Sequence, residues 1–232
     1  MPHVTCFQHI DCEGPGLIAD VLKSKGIGLR IIKTYKGEPI PENLGDGLVV
    51  LGGPMAVYER EILPWMVAEL AAIQKCLDRS IPCLGICLGA QMLAHVGGGR
   101  VYKGDRQEIG WYPINLSEDG RLDNLLQGLP MEMTAFHWHG DTFTLPADAV
   151  RLAGSAYYPN QIFRLGQKAY GFQCHLEITE SMIKDWMAAY ASELKPNGGP
   201  IQLEWLEKDL HRNAQTLEGL AEKVFSRFAA LL

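Results

Sequence analysis

The stretch PCLGICLGAQMLA, residues 82–94, decides how this chain is read. Its first half is a short apolar run opened by Pro82, the pattern of a buried strand; from Leu88 the spacing of apolar and small residues becomes helical. The join falls on Cys87, with Gly85 and Gly89 two residues away on either side. Glycines at those positions let a strand and the following helix approach without clashing Cβ atoms.

Strand-like and helix-like segments alternate outward from this join. VTCFQHI (4–10) reads as a strand, residues 16–25 as a helix closed by Gly26, LRIIKTY (29–35) and GLVVLGG (47–53) as further strands. Ile62, Met66, Leu70, Ile73 and Leu77 predict a helix over 59–79, before the strand IPCLGI (81–86) and a helix over 88–96. This alternation predicts an α/β fold: an open, mostly parallel twisted sheet with helices on both faces. Residues 99–175 are more β-rich and end in the strand AYGFQCH (169–175). Helices follow over 179–194 and 203–230, joined by the loop 195–202. In the second of them Leu203, Leu206, Leu210, Leu217, Leu220, Val224 and Phe228 trace one core-facing stripe. No repeat or low-complexity linker interrupts the 232 residues, so one domain over 1–232 is expected.

Composition narrows the function classes. With 47% hydrophobic and 21% charged residues the chain suits a globular core, and its net charge of −6 gives no reason to expect nucleic-acid or membrane partners. No apolar run approaches the roughly 20 residues of a membrane span. The N-terminus lacks the basic and apolar regions of a signal peptide. Six cysteines without a C-x-x-C pair fit reduced thiols in a cytoplasmic protein.

Residues 85–89, Gly-Ile-Cys-Leu-Gly, form the G-x-nucleophile-x-G pattern of a nucleophile elbow with cysteine as the nucleophile. A helix N-terminus favours the thiolate that such chemistry needs, and the Leu88 N–H could serve an oxyanion hole. The competing reading, an inert packing cysteine, suits Cys83 on the preceding strand. A cysteine nucleophile needs a base and an orienting group. His175 at the end of the last strand, with Glu177 two residues on, offers both. His137 and His139 could face a metal from one strand, but no third ligand stands at a completing spacing, so neither metal nor other cofactor is expected. His3, His9, His95 and His211 read as surface or packing residues. The order Cys, His, Glu argues against an α/β-hydrolase, whose acid precedes its histidine.

With LGGPMAVYE upstream and GFQCHLE downstream, the stretch 82–94 resembles the class I (triad) glutamine amidotransferases, most of all the glutaminase domain of GMP synthetase and its stand-alone relatives. The resemblance implies an α/β fold, flavodoxin-like in its sheet, and a catalytic triad of Cys87, His175 and Glu177. It also implies an oxyanion hole from the N–H groups of Gly53 and Leu88, and substrate contacts from Gln91 and the backbone of His139 and Gly140. Where the family commonly has Phe before the histidine and Pro after it, this chain has Cys174 and Leu176. The implied substrate is glutamine or another γ-glutamyl compound, with ammonia passed to a separate synthetase subunit, since no ATP-using domain accompanies the motifs. A self-sufficient γ-glutamyl peptide hydrolase and a non-catalytic binding module are the alternatives. GDRQEIGW (104–111) reads as a structural turn, and Asp141 as a contact to an α-amino group or a cap of its own turn.

Overall fold

The computed structural model describes residues 2–192, 194, 206–208 and 210–232. Among them nine strands share one sheet: β1 (His3–Phe7), β2 (Gly28–Ile32), β3 (Gly47–Val50), β4 (Cys83–Ile86), β5 (Val101–Leu116), β6 (Glu132–Phe143), β7 (Ala149–Ser155), β8 (Ile162–Leu165) and β9 (Ala169–Phe172). Their order is β2-β1-β3-β4-β9-β8-β7-β5-β6. The first five run parallel, in the flavodoxin-like order with β9 in the fifth place. The remaining strands extend the sheet antiparallel from β9. The α/β fold with helices on both faces is as the sequence indicates.

Alternation along the strands explains the two covered faces. Val49, Leu51, Leu84 and Ile86 pack with α1 (Gly16–Ser24) and α6 (Leu210–Ala229), while Leu48, Val50 and Cys83 pack with α2 (Pro64–Asp78) and α3 (Leu88–Val96). Gly26, at φ 71°, closes α1 in the left-handed conformation that glycine adopts freely. Two shorter helices also lie among the described residues, α4 (Glu118–Leu122) and α5 (Glu180–Ala189).

Several boundaries differ from the periodicity. The helix expected over 59–79 starts at Pro64, whose fixed φ and missing N–H suit the first helical position; residues Val57–Glu59 make a separate 3-10 turn and Ile62 is 75% exposed, outside the apolar stripe. The last strand ends at Phe172, so His175 stands three residues beyond it, tied back by an isolated bridge to Phe136. The segment 104–111 is no turn: it lies inside β5, where the pairing with β6 shifts register between Lys103 and Glu108. The helix expected over 179–194 ends at Ala189. The loop 195–202 and Leu203 lie outside the described residues. No helix among the described residues is long and apolar enough to cross a membrane.

Candidate active site

Cys87 is the single residue between β4 and α3, and its backbone takes φ 51° and ψ −105°. A non-glycine residue there carries about 1–3 kcal/mol of strain. Two hydrogen bonds hold it: its N–H donates to the Phe172 carbonyl at 2.7 Å, and its carbonyl accepts from the Gln91 N–H at 3.0 Å. The flanking glycines are dictated by contact. A Cβ at Gly85 would lie 2.8 Å from the Ala90 nitrogen, and one at Gly89 would sit on the Val50 carbonyl, 2.7 Å from its carbon. The sulfur touches the Gln173 amide nitrogen at 3.6 Å and the Trp138 carbonyl oxygen at 3.8 Å.

His175 meets Cys87 across Gly52, where an added Cβ would lie 3.4 Å from His175 Cε1 and 3.5 Å from Cys87 Cβ. Its Nδ1–H donates to Glu177 Oε1 at 2.7 Å, and its N–H donates to the Phe136 carbonyl at 2.8 Å. Trp186 packs edge-on against the imidazole, ring centroids 4.9 Å apart. Burial alone would push the His175 pKa down, but the Glu177 charge and hydrogen bond and the Cys87 thiol outweigh it and hold the pKa well above the ordinary histidine range. Nε2, the other ring nitrogen, is buried and has no hydrogen-bond partner among the described residues. The family's proline is replaced by packing: Leu176 is fully buried, and the Glu177 carbonyl accepts the Leu17 N–H at 2.8 Å at the start of α1.

This arrangement sets a sign for pH dependence. A histidine with a raised folded pKa contributes stability below its ordinary pKa of about 6.5, and loses that contribution as pH climbs through the higher folded value. Glu177→Gln removes the anion, so the His175 titration followed by proton NMR is expected to move to lower pH. An unmoved midpoint would mean that Glu177 does not hold the imidazolium.

The remaining sequence candidates fall around one cavity of about 690 Å³, lined by Gly53, Cys87, Gln91, His139 and Gly140 among others. Among the described residues, neither the Gly53 nor the Leu88 N–H has a hydrogen-bond acceptor. Gln91 is buried and donates to Gln173 Oε1 at 3.1 Å and the Asp141 carbonyl at 3.4 Å. The His139 ring lies between the Asp141 carbonyl at 3.1 Å and Glu108 Oε2 at 3.0 Å, and His139 and Gly140 both line the cavity. Asp141 also lines the cavity.

Glu108, His137 and His139 bring their ligating atoms within 4.8 Å of one another, a group whose chemistry could hold a metal ion. Glu108 already accepts from Ser155 at 2.7 Å, Gln161 at 2.7 Å and His139, and is wholly buried. Burial alone would raise its pKa; the His137 imidazole 3.3 Å away and the hydrogen bonds from His139 and Ser155 hold it well below the usual carboxylate range. Burial brings the His137 pKa down to about 4. We read the cluster as an internal polar network that braces β5 against β6 behind the cavity.

The sequence reading assigns no role to two residues at the site. Gln173 links Gln91 to the Cys87 sulfur. Glu13 is buried on the cavity wall, accepts the Tyr190 hydroxyl at 2.6 Å, and has its pKa raised by burial against the pull of Tyr190, His175 and His9. Glu13 belongs to no motif, and Gln173 stands inside GFQCHLE with no role assigned to it from the sequence; the tertiary fold is what brings them to Cys87 and the cavity.

The parallel sheet brings a cysteine elbow, a histidine and a carboxylate together near its strand ends, an arrangement consistent with the resemblance to the amidotransferases. The family model described as glutamine amidotransferase class-I matches residues 9–188. The glutamine amidotransferase-like protein YfeJ of Salmonella typhimurium is 34% identical over 191 residues, 80% of each chain. The GMP synthase [glutamine-hydrolyzing] of Porphyromonas gingivalis is 36% identical over 153 residues, 64% of this chain but only 28% of that protein, so this chain matches a small part of it. The crystal structure of a glutamine amidotransferase from Methylobacillus flagellatus superposes with a TM-score of 0.92 at 32% identity, covering 100% of this chain and 96% of that one. This chain belongs to the class-I glutamine amidotransferase family.

Proposed function

We propose that the protein hydrolyses a γ-glutamyl amide, glutamine first of all, through a thioester on Cys87. The Cys87 thiol gives its proton to His175 Nε2 as the sulfur attacks the side-chain amide carbon, while the N–H groups of Gly53 and Leu88 hold the developing oxyanion. His175 Nε2–H gives its proton to the departing nitrogen, the C–N bond breaks, and ammonia leaves. The neutral imidazole then takes a proton from water, whose oxygen attacks the thioester; glutamate leaves and the thiol is restored. Glu177 orients His175 and stabilises the imidazolium. The backbone of His139 and Gly140, with Gln91, receives the amino-acid end. The observation that carries this reading is the strained Cys87 facing His175 across Gly52, with His175 bound to Glu177 at 2.7 Å.

A separate synthetase subunit receives the ammonia in this reading, by analogy with the GMP synthase that the chain matches over 28% of its length. One feature favours a self-sufficient γ-glutamyl peptide hydrolase instead. The cavity of about 690 Å³ is roomy for glutamine, and Lys103 and Arg106 on its rim suit the carboxylate of an amino-acid leaving group. Ammonia release from glutamine and amine release from γ-glutamyl peptides, measured with the purified protein and with Cys87→Ala, separate the readings. Peptide turnover without glutamine turnover selects the hydrolase; glutamine turnover that rises when cell extract is added selects the synthetase partner. Silence on both substrates, with an unlabelled Cys87 after exposure to a glutamine-like electrophile, overturns both and leaves a non-catalytic binding module.

A further inference from the structure

Just beyond β1, His9 is completely buried and plays no part in the chemistry proposed above. Its Nδ1 lies 2.9 Å from the Gly52 carbonyl oxygen and its Nε2 lies 2.8 Å from Oε2 of the equally buried Glu69, on α2. We propose that the His9–Glu69 pair is a clamp on the Gly52 carbonyl, fixing the Gly52–Gly53 peptide so that the Gly53 N–H faces the substrate's carbonyl oxygen. The inference rests on the oxyanion-hole reading of Gly53 and names the residues that position it.

Two chemical facts carry the clamp. A carbonyl and an ionised carboxylate can only accept, and a neutral imidazole has a single N–H, so with Glu69 ionised both contacts are satisfied only when both ring nitrogens carry protons. The surroundings favour that cation: Trp65 stacks on the ring at 5.2 Å and 24°, offering a π-face to positive charge. Burial disfavours it, but Glu69, the Gly52 carbonyl and the nearby Glu13 outweigh burial and raise the His9 pKa.

The second fact is peptide geometry. In a trans peptide the carbonyl and the following N–H point in opposite directions. With the Gly52 carbonyl drawn to His9, the Gly53 N–H points the other way, and it has no acceptor among the described residues. Gly53 lies between the clamp and the other proposed donor: a Cβ there would be 2.9 Å from His9 Cβ and 3.3 Å from Leu88 Cδ2. Two consecutive glycines leave this peptide free to flip, so an external restraint decides which way it faces.

Two substitutions at one position separate positioning from support. In His9→Gln the side-chain amide nitrogen stands where Nε2 does, keeping a donor to Glu69 but leaving the Gly52 carbonyl unpaired. In His9→Asn it stands where Nδ1 does, keeping the donor to Gly52 but leaving Glu69 alone. The clamp predicts that His9→Gln loses about 100-fold in kcat with little change in KM, the scale of one lost oxyanion donor, while His9→Asn keeps more activity despite its unpaired buried carboxylate. Equal loss in the two variants, or loss that follows their thermal midpoints, overturns it.

Should the wild-type protein turn over none of the γ-glutamyl substrates, the functional reading fails and crystallography still judges the clamp. A flipped Gly52–Gly53 peptide in His9→Gln supports it, and an unchanged peptide overturns it. Should the variants not fold, nitrogen-15 NMR of the wild type decides: a His9 titration above the ordinary histidine value, with both ring nitrogens protonated below it, is expected, and a ring that stays singly protonated overturns the clamp.

Discussion

Cys87→Ala is expected to reduce turnover of every γ-glutamyl substrate by at least about 10⁴-fold, because Cys87 is the thiol that faces His175 among the described residues. Cys83 and Cys174 are fully buried, and burial pushes both thiols far above the ordinary range. The thermal midpoint should barely move in this variant, since alanine inherits the same φ of 51° and with it the same strain. Cys87→Gly gives the complementary result. It is as inactive as the alanine variant yet more stable, by about 1 kcal/mol or more, because glycine adopts this backbone at little cost. Steady-state assays with differential scanning fluorimetry on the three proteins check both halves. Residual turnover in Cys87→Ala would move the nucleophile elsewhere; a destabilised glycine variant would mean that the elbow stores no strain. The pair of outcomes would make Cys87 a position where stability is given up for chemistry.

What could be read in advance followed locality. The elbow, the strands around it and the His175–Glu177 spacing are encoded within a few residues of each other, so backbone geometry alone carries them. Pro64 shows where periodicity misleads: the apolar spacing runs back to Ile62, but the proline fixes the helix start and leaves Ile62 in solvent. Glu108 misled in another way. In DRQEIGW the charged and glycine residues resemble turn punctuation, yet they lie on a long strand, and Glu108 turns inward because His137, His139, Ser155 and Gln161 surround it. His9 and Glu69 stand 60 positions apart, and Glu13 and Tyr190 stand 177 apart. No single-sequence pattern joins such pairs. The parallel sheet does so by bringing the ends of β1, β3, β4 and β9 to one edge, where an open α/β sheet gathers its ligands.

The largest expected loss of stability comes from Gly89→Ala. Alanine is ordinarily the best residue inside a helix, and propensity alone predicts a gain of about 1 kcal/mol. At position 89 packing reverses the sign. The new Cβ would lie on the Val50 carbonyl, 2.7 Å from its carbon and 3.0 Å from its Cβ. These are mostly backbone atoms of a central strand, unable to rotate aside as a side chain can. To make room α3 must withdraw from the sheet, although Leu88 to Ala94 are all buried and the Gly89 N–H is bonded to the Leu51 carbonyl at 3.2 Å. A loss of about 4 kcal/mol or more is expected, enough to unfold a marginal domain. Whatever folds should also lose activity, because moving the start of α3 moves Cys87 and the Leu88 N–H together. Gly219→Ala is the control: it is exposed on α6 with nothing within 4 Å of the added methyl, and should gain about 0.5–1 kcal/mol. Urea unfolding of the two variants tests the contrast. If Gly89→Ala were as stable as the wild type, close contact between α3 and β3 would not be what requires a glycine two residues after the cysteine.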